Sequence, residues 1–263
     1  MAYIIAVANQ KGGVAKTTTV VSLGGALAQS GKEVLLIDLD PQADLTLALG
    51  FNPNEVRGSI ADVLLNSGNL LSITRETDIP GIDLIPSNDE MELAEQFLPI
   101  RNDFEYVLRN ALTNHLPTHV YDAIILDCPP ALGAVTQNAL NAAQMLIIPT
   151  QPEYFSAHAM RNMMVAIRHV RNHSNPNLIY RILITMRDRR NRIHRSFSDQ
   201  IQETFKEGIF DTVIDIDTKL RESSVAGLPI THYTAKTRSA IQYQSLAQEL
   251  TLNVQESVAQ FAA

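Results

Sequence analysis

Two lysines at positions 11 and 16 bracket Gly12, Gly13, Val14 and Ala15, and three hydroxyl side chains, Thr17, Thr18 and Thr19, follow at once. Successive backbone N–H groups in a glycine-containing turn form a cradle for anionic oxygens, and a helix starting at its end adds the positive pole of its dipole. In such a loop Lys16 reaches the β- and γ-phosphates of a nucleotide and the Thr17 hydroxyl ligates Mg²⁺. The stretch departs from the usual pattern twice, with Ala15 where a glycine commonly precedes the lysine and with Lys11 as an added cation. The competing reading is a glycine-containing turn between a strand and a helix, with no ligand.

Carboxylates with the right placement come from two further segments. Glu33 to Asp38 reads as a buried parallel strand ending in Asp38, with Asp40 two residues on, and Asp122 to Asp127 reads as a second strand ending in Asp127. Ligands of open parallel sheets sit beyond the carboxyl ends of the strands, so all three aspartates are expected in the crevice that holds the loop. Asp127 is then a second magnesium-site carboxylate. Asp44 is expected to cap a helix from Leu45 to Gly50, a structural role. Cys128, the single cysteine, reads as a small buried hydrophobe at a strand tip. His115 and His119 have metal-pair spacing, but Pro117 breaks the helix between them, so they are expected to face solvent.

These residues must be positioned by alternating strands and helices. Tyr3 to Ala8 is an apolar strand leading into the loop, and Val20, Val21, Leu23, Leu27 and Ala28 recur at helical spacing before the C-cap glycine Gly31. From 51 to 120 the pattern is weak: a turn at Phe51 to Arg57, a short helix at Ser59 to Leu65, a strand at Ile82 to Ile85, and helices at Met91 to Leu98 and Phe104 to Leu112. Beyond, helices are expected at Gly133 to Asn141 and Glu153 to Arg171, strands at Met145 to Ile148 and Ile179 to Thr185, and a long polar amphipathic helix at Arg238 to Phe261. With no linker-like segment or repeat, the expectation is one α/β domain over 1–263, a doubly wound, mostly parallel sheet with helices on both faces.

Composition narrows the function classes. With 45% hydrophobic and 19% charged residues the chain reads as globular and soluble. A net charge of -7 means that any DNA contact must come from a local basic patch. One candidate exists: Arg187, Arg189, Arg190, Arg192 and Arg195 stand against Asp188 alone, and Lys219, Arg221, Lys236 and Arg238 follow later. Two readings stay open for it, a solvated loop or a face for phosphates that acts without base readout. One cysteine supplies neither a disulfide nor a thiolate cluster. No signal-like segment and no apolar run near the roughly 20 residues of a membrane span is found, so a cytoplasmic location is expected.

Taken together, the loop with Lys11, Leu35-Leu36-Ile37-Asp38-Leu39-Asp40-Pro41-Gln42, Ile125-Leu126-Asp127-Cys128-Pro129-Pro130, Ile148-Pro149-Thr150-Gln151-Pro152-Glu153-Tyr154 and Asp217-Thr218-Lys219-Leu220-Arg221-Glu222 with Gly227 and Pro229 resemble the ParA/MinD family of deviant Walker ATPases. The resemblance covers nearly the whole chain except 51 to 115. It implies a P-loop NTPase fold and a switch in which ATP and Mg²⁺ close two subunits into a homodimer that slow hydrolysis releases. Lys11 would cross to the partner's ATP, and Lys16 with the loop amides of Gly12, Gly13, Val14 and Ala15 would hold the β- and γ-phosphates. Thr17 would bind Mg²⁺ directly, Asp38 and Asp127 through its waters, Thr18 would contact the α-phosphate, and Asp40 would orient the attacking water. Met186 beside Thr185, and Asp217, are the implied adenine contacts, with Asp215 standing where many members have proline.

Among such relatives, the segment Leu250 to Ala263 lacks the lysines and arginines of a membrane-binding end, making a MinD-like division-site regulator the alternative reading and no stable membrane association the expectation. Iron-sulfur reductases require paired cysteines, and no N-terminal operator-reading domain is expected with the loop beginning at residue 10. The expected function is a nucleoid-associated ATPase on non-specific double-stranded DNA. In it the basic residues Arg187, Arg189, Arg190, Arg192, Arg195, Lys219 and Arg221 meet DNA. A ParB-like or McdB-like adaptor links it to a chromosome, a plasmid or a protein organelle such as a carboxysome.

Overall fold

The computed structural model describes residues 2–154 and 156–262, with only the backbone path described for 157, 158 and 254–262. Its strands are β1 (Tyr3–Val7), β2 (Val34–Asp38), β3 (Arg75–Glu76), β4 (Ile82–Ile85), β5 (Ala123–Asp127), β6 (Met145–Thr150), β7 (Ile179–Arg187) and β8 (Ile209–Asp215). They form one eight-stranded sheet in the order β3-β4-β2-β5-β1-β6-β7-β8. Every neighbouring pair is parallel except β3 with β4. Every residue of β2 and β5 is buried, which is why both read as nearly unbroken apolar runs: helices cover the two faces.

The helices are α1 (Lys16–Gln29), α2 (Asp44–Ala48), α3 (Ile60–Asn66), α4 (Leu70–Ile73), α5 (Met91–Phe97), α6 (Val107–His115), α7 (Ala134–Ala142), α8 (Ser156–His173), α9 (Arg192–Phe205), α10 (Thr218–Val225), α11 (Ile230–Tyr233) and α12 (Arg238–Ala262). Leu23, Leu27, Tyr243 and Leu246 of α1 and α12 pack on one face, and Leu64, Leu108, Leu140 and Met163 of α3, α6, α7 and α8 on the other. Successive crossovers therefore leave β1 and β5 toward opposite faces, opening a crevice beyond their carboxyl ends. Register places Val7 and Asp38 each level with Asp127, so the three central strands end together. No helix among the described residues is long and apolar enough to cross a membrane.

Local chemistry explains the boundaries and the departures from expectation. At the end of α1, Gly31 takes a left-handed φ of 84° while Lys32 N–H bonds the Leu27 carbonyl, closing the helix as expected. Helix α3 starts from a capping box in which Ser59 and Asp62 satisfy each other's end. Asp44, by contrast, is the first residue of α2 and not its cap; Ala43, at φ 53°, occupies that place without a side-chain bond. Strand β6 runs through Pro149 to Thr150, beyond the expected stop, because its pairing with β1 has already ended at Ile147. Helix α8 begins only at Ser156, leaving Glu153 in the preceding turn. His115 is half-buried, its Nδ1 accepting the Leu70 N–H at 3.5 Å, and only His119 is exposed. Helix α4 and strand β3, four and two residues long, are too short to leave a periodic signal. The expectation that the chain ends without a membrane-binding face falls largely on side chains outside the described residues.

Candidate functional site

The loop between β1 and α1 alternates in backbone hand. Gly13 and Ala15 have φ of 69° and 66°, while Gly12 and Val14 stay outside the positive region. Such alternation turns consecutive N–H groups to one side and makes an anion-binding nest. A side chain built at Gly12 or Gly13 would meet nothing within 4 Å, so the concave side is open. Ala15 holds a conformation costing a non-glycine residue about 1–2 kcal/mol, and Thr19 N–H nevertheless bonds its carbonyl to start α1. Buried Thr185 donates its hydroxyl to the Val14 carbonyl at 3.0 Å, fixing the loop against β7.

Gly12, Gly13, Ala15, Lys16, Thr17 and Thr18 line one end of a cleft of about 470 Å³, with Asp40, Gln42 and Asp44 beside them. Lys16 is the first residue of α1, is nearly buried and lines the cleft. Asp38 and Asp127 lie side by side on adjacent strands, both buried. Asp38 Oδ1 accepts the Asp40 N–H at 3.1 Å, and its Oδ2 accepts both the N–H and the hydroxyl of Thr46 at 2.9 and 2.7 Å. Burial nonetheless pushes the Asp38 carboxyl up to about 7 against these bonds. Burial, and then the Asp38 charge, raise Asp127 well above the usual carboxylate range, with Thr17 and Lys16 opposing. Although Thr17 is close enough to exert that influence, neither Asp127 oxygen has a hydrogen-bond partner of good geometry. Two buried carboxylates, one of them unpartnered, beside a threonine hydroxyl are an all-oxygen donor set that suits a hard divalent cation. Magnesium typically takes one or two carboxylates and completes its shell with water and substrate phosphates. Thr17, Asp38 and Asp127 fit that requirement.

Asp40 is half-buried at the mouth of this pair, its Oδ1 accepting the Gln42 N–H at 3.0 Å. Behind it, Ser87 donates its hydroxyl to the Asp40 carbonyl at 2.7 Å and its N–H to the Thr46 hydroxyl at 3.0 Å. Thr46 and Ser87 thus brace Asp38 and Asp40 together. Neither stood out in the sequence, since a hydroxyl eight residues after an aspartate has no motif. Cys128 is fully buried, and burial pushes its thiol upward, as expected of an inert hydrophobe.

The far wall of the cleft comes from the ends of β7 and β8 and from α10 and α12. Met186 lines it in a left-handed conformation, φ 53°, with Asp215, Asp217, Arg221 and Tyr243. Asp217 caps α10: its Oδ1 accepts the Lys219 N–H, and its Oδ2 accepts the Ser239 hydroxyl at 2.8 Å. Its carboxylate is therefore engaged before any base arrives. Buried Asp215 accepts Arg187 Nε at 2.8 Å and Gln242 Nε2 at 2.8 Å.

The seven basic residues singled out in the sequence divide accordingly. Arg187 is half-buried in its pair with Asp215, Lys219 pairs with Glu222 at 2.6 Å, and Arg221 stands at the rim of the cleft. Arg189, Arg190, Arg192 and Arg195 are exposed on the β7–α9 turn and the start of α9, with Arg189 only loosely near Asp215 at 4.0 Å. Lys11, finally, does not point into its own cleft. Its Nζ lies 2.7 Å from Glu153 Oε2 in the turn before α8.

Residues 2–180 match the profile of an AAA domain. The chain is 37% identical to the sporulation initiation inhibitor protein Soj of Bacillus subtilis (strain 168) over 254 residues, 96% of this chain and 100% of that one. It is 35% identical to the chromosome partitioning protein ParA of Caulobacter vibrioides (strain NA1000 / CB15N) over 248 residues, 94% of this chain and 93% of that one. Among solved structures it is similar to cobyrinic acid a,c-diamide synthase from Mycobacterium smegmatis with bound ADP and magnesium, with 34% identity, a TM-score of 0.84, and coverage of 95% of this chain and 94% of that one.

Proposed function

The chain belongs to the ParA/MinD family of deviant Walker ATPases, and on that premise we propose that it is a Mg²⁺-dependent ATPase that dimerises on ATP, binds non-specific double-stranded DNA in that state, and positions a cargo along the nucleoid. The cargo is a chromosome, a plasmid or a protein organelle, joined through a ParB-like or McdB-like adaptor that stimulates hydrolysis. One observation carries this reading. Met186 lines the nucleotide cleft, Arg187 bonds Asp215 in the wall of the same cleft, and the exposed arginines 189, 190, 192 and 195 follow on the β7–α9 turn and the start of α9. A rearrangement at the nucleotide is thereby passed to a phosphate-binding surface through a few residues of continuous chain.

Within the cleft the loop amides and Lys16 hold the β- and γ-phosphates, Thr18 reaches the α-phosphate, and Met186 and Asp217 border the base. Thr17, Asp38 and Asp127 would hold Mg²⁺, which when bound would neutralise charge on the phosphate oxygens. Asp40, free on one oxygen and steadied by Ser87, orients the attacking water; phosphoryl transfer needs positioning and charge stabilisation more than a strong base. Lys11 completes the partner's site, adding positive charge where the transferring phosphoryl group needs it.

The test is DNA retention in an electrophoretic shift with ATP, with ADP and without nucleotide. Retention is expected with ATP alone and is expected to vanish in Lys16→Ala. Lys11→Ala should keep ATP binding while hydrolysis drops by about 10³-fold, the scale of a cation supplied in trans. Equal retention in all three nucleotide states would overturn the switch, and normal hydrolysis by Lys11→Ala would overturn the trans lysine.

A further inference from the structure

The loop is tied to the β6–α8 segment at three points of different depth. At the innermost, Asn9 Nδ2 donates to the Pro149 carbonyl at 2.7 Å, with Asn9 itself buried, while Asn9 Oδ1 accepts the Lys11 N–H at 3.0 Å. Further out Asn162 Nδ2 donates to Gln10 Oε1 at 2.6 Å, and Lys11 Nζ meets Glu153 at 2.7 Å, their side chains 26% and 39% exposed. The Glu153 carboxylate is presented by a braced turn, since Glu153 N–H bonds the Gln151 carbonyl and Ser156 N–H bonds the Glu153 carbonyl, at 2.8 and 3.0 Å. The buried Asn9 anchor can stay in place while the outer ion pair opens, because the bonds that hold the loop's entry are separate from the one that holds the lysine head.

We infer that Glu153 is the positioning residue for Lys11: it stores the ammonium in its own subunit and releases it only when the phosphates of a nucleotide-loaded partner compete for it. This rests on the trans role of Lys11 given above. An ammonium 2.7 Å from a carboxylate of its own chain must leave that carboxylate to serve another subunit's phosphates, so the pair opposes dimer closure. Its half-exposure sets the scale. Ion pairs of this kind bias an equilibrium by up to about five-fold, and two open per dimer, giving up to about 25-fold on dimer formation. That is small enough for several phosphate charges to overcome and large enough to suppress closure without nucleotide.

Glu153→Gln removes the charge and keeps the shape; Glu153→Asp keeps the charge. Two readouts are needed. In the nucleotide-free subunit, acetylation of Lys11 followed by mass spectrometry should be about three- to five-fold faster in Glu153→Gln than in the unaltered chain and substantially restored by Glu153→Asp. With ATP, Glu153→Gln should tighten dimerisation by about ten-fold, and that gain should disappear when Lys11→Ala is combined with it. Unchanged Lys11 labelling, or weaker dimerisation in Glu153→Gln, overturns the storage role even if Lys11→Ala has shown the lysine to act in trans. Faster labelling together with normal hydrolysis by Lys11→Ala overturns it through its premise, leaving an ion pair with no part in the switch.

Discussion

The fold opposes the negative charges of Asp38 and Asp127, and the sign of that opposition is testable. Both carboxyls are raised in the folded chain, Asp38 from 3.8 to about 7, mainly by burial. The folded protein therefore binds more protons than the unfolded chain between these values, and the associated stability is present below about pH 4 and is lost as pH rises through 7. In the nucleotide-free protein these two sites should lower the unfolding midpoint between pH 5 and pH 8. Mg²⁺ with ATP should recover most of that loss, because a bound cation favours the ionised carboxylates. Asp38→Asn should flatten the nucleotide-free profile. A midpoint that rises across this window in the unaltered chain, and equally in Asp38→Asn, would refute the assignment. Both aspartates were legible in the sequence as acids at the ends of apolar runs, whereas Thr46 and Ser87, which brace Asp38 and Asp40, were not. The first pattern is local, and the second exists only once β2, α2 and the end of β4 are packed together.

At the scale of elements, α1 carries Lys16 and Thr17 on its first turn and is held in place by α11 and α12. Contact with α11 depends on Gly25, where an added Cβ would lie 2.3 Å from Pro229 Cβ and 2.9 Å from Thr231 Oγ1. At the neighbouring Gly24 the obstruction is only the flexible end of Leu36, at 3.0 Å. Gly25→Ala should therefore cost about 1–3 kcal/mol of stability by overpacking and weaken ATP binding by displacing α1, while Gly24→Ala should cost clearly less. Equal unfolding midpoints for the two variants would refute this account of how α1 is seated. The sequence marked Pro229 and Gly227 only as parts of a resemblance. What Pro229 does becomes visible when two elements more than 200 residues apart in the chain are in contact. The late start of α8 follows the same logic, since the chain there turns back on itself through Gln151, Glu153 and Ser156.

For the whole molecule the question is how a chain of net charge -7 would hold a polyanion. Arg189, Arg190, Arg192 and Arg195 are exposed together on the β7–α9 turn and the first turn of α9, whereas Arg187 and Lys219 are already paired with acids. Reversing Arg189 and Arg192 to Glu should abolish DNA retention without changing ATP hydrolysis in the absence of DNA. Replacing the same two by Gln should lower the slope of log affinity against log salt by about 2 for each subunit, about 4 for the dimer. Undiminished retention in the double reversal would move the DNA face elsewhere. Location within the chain pointed to seven basic residues, and only packing distinguished those with an acidic partner from those facing solvent.

Much of the chemistry was determined by the sequence alone, because it is encoded locally: a strand, a glycine-containing turn and a helix start fix where backbone N–H groups point, and the direction of a parallel strand fixes where its last carboxylate emerges. The loop from Lys11 to Thr18 and the strand tips Asp38 and Asp127 are legible for that reason. Only the tertiary structure decided which charges are already spent. Lys11 and Glu153 are 142 residues apart, and Arg187 and Asp215 are 28 apart. No spacing rule links such partners, because their distance is set by how β6, β7 and β8 stack beside β1, and the sum of every packed side chain in the two cores decides that stacking.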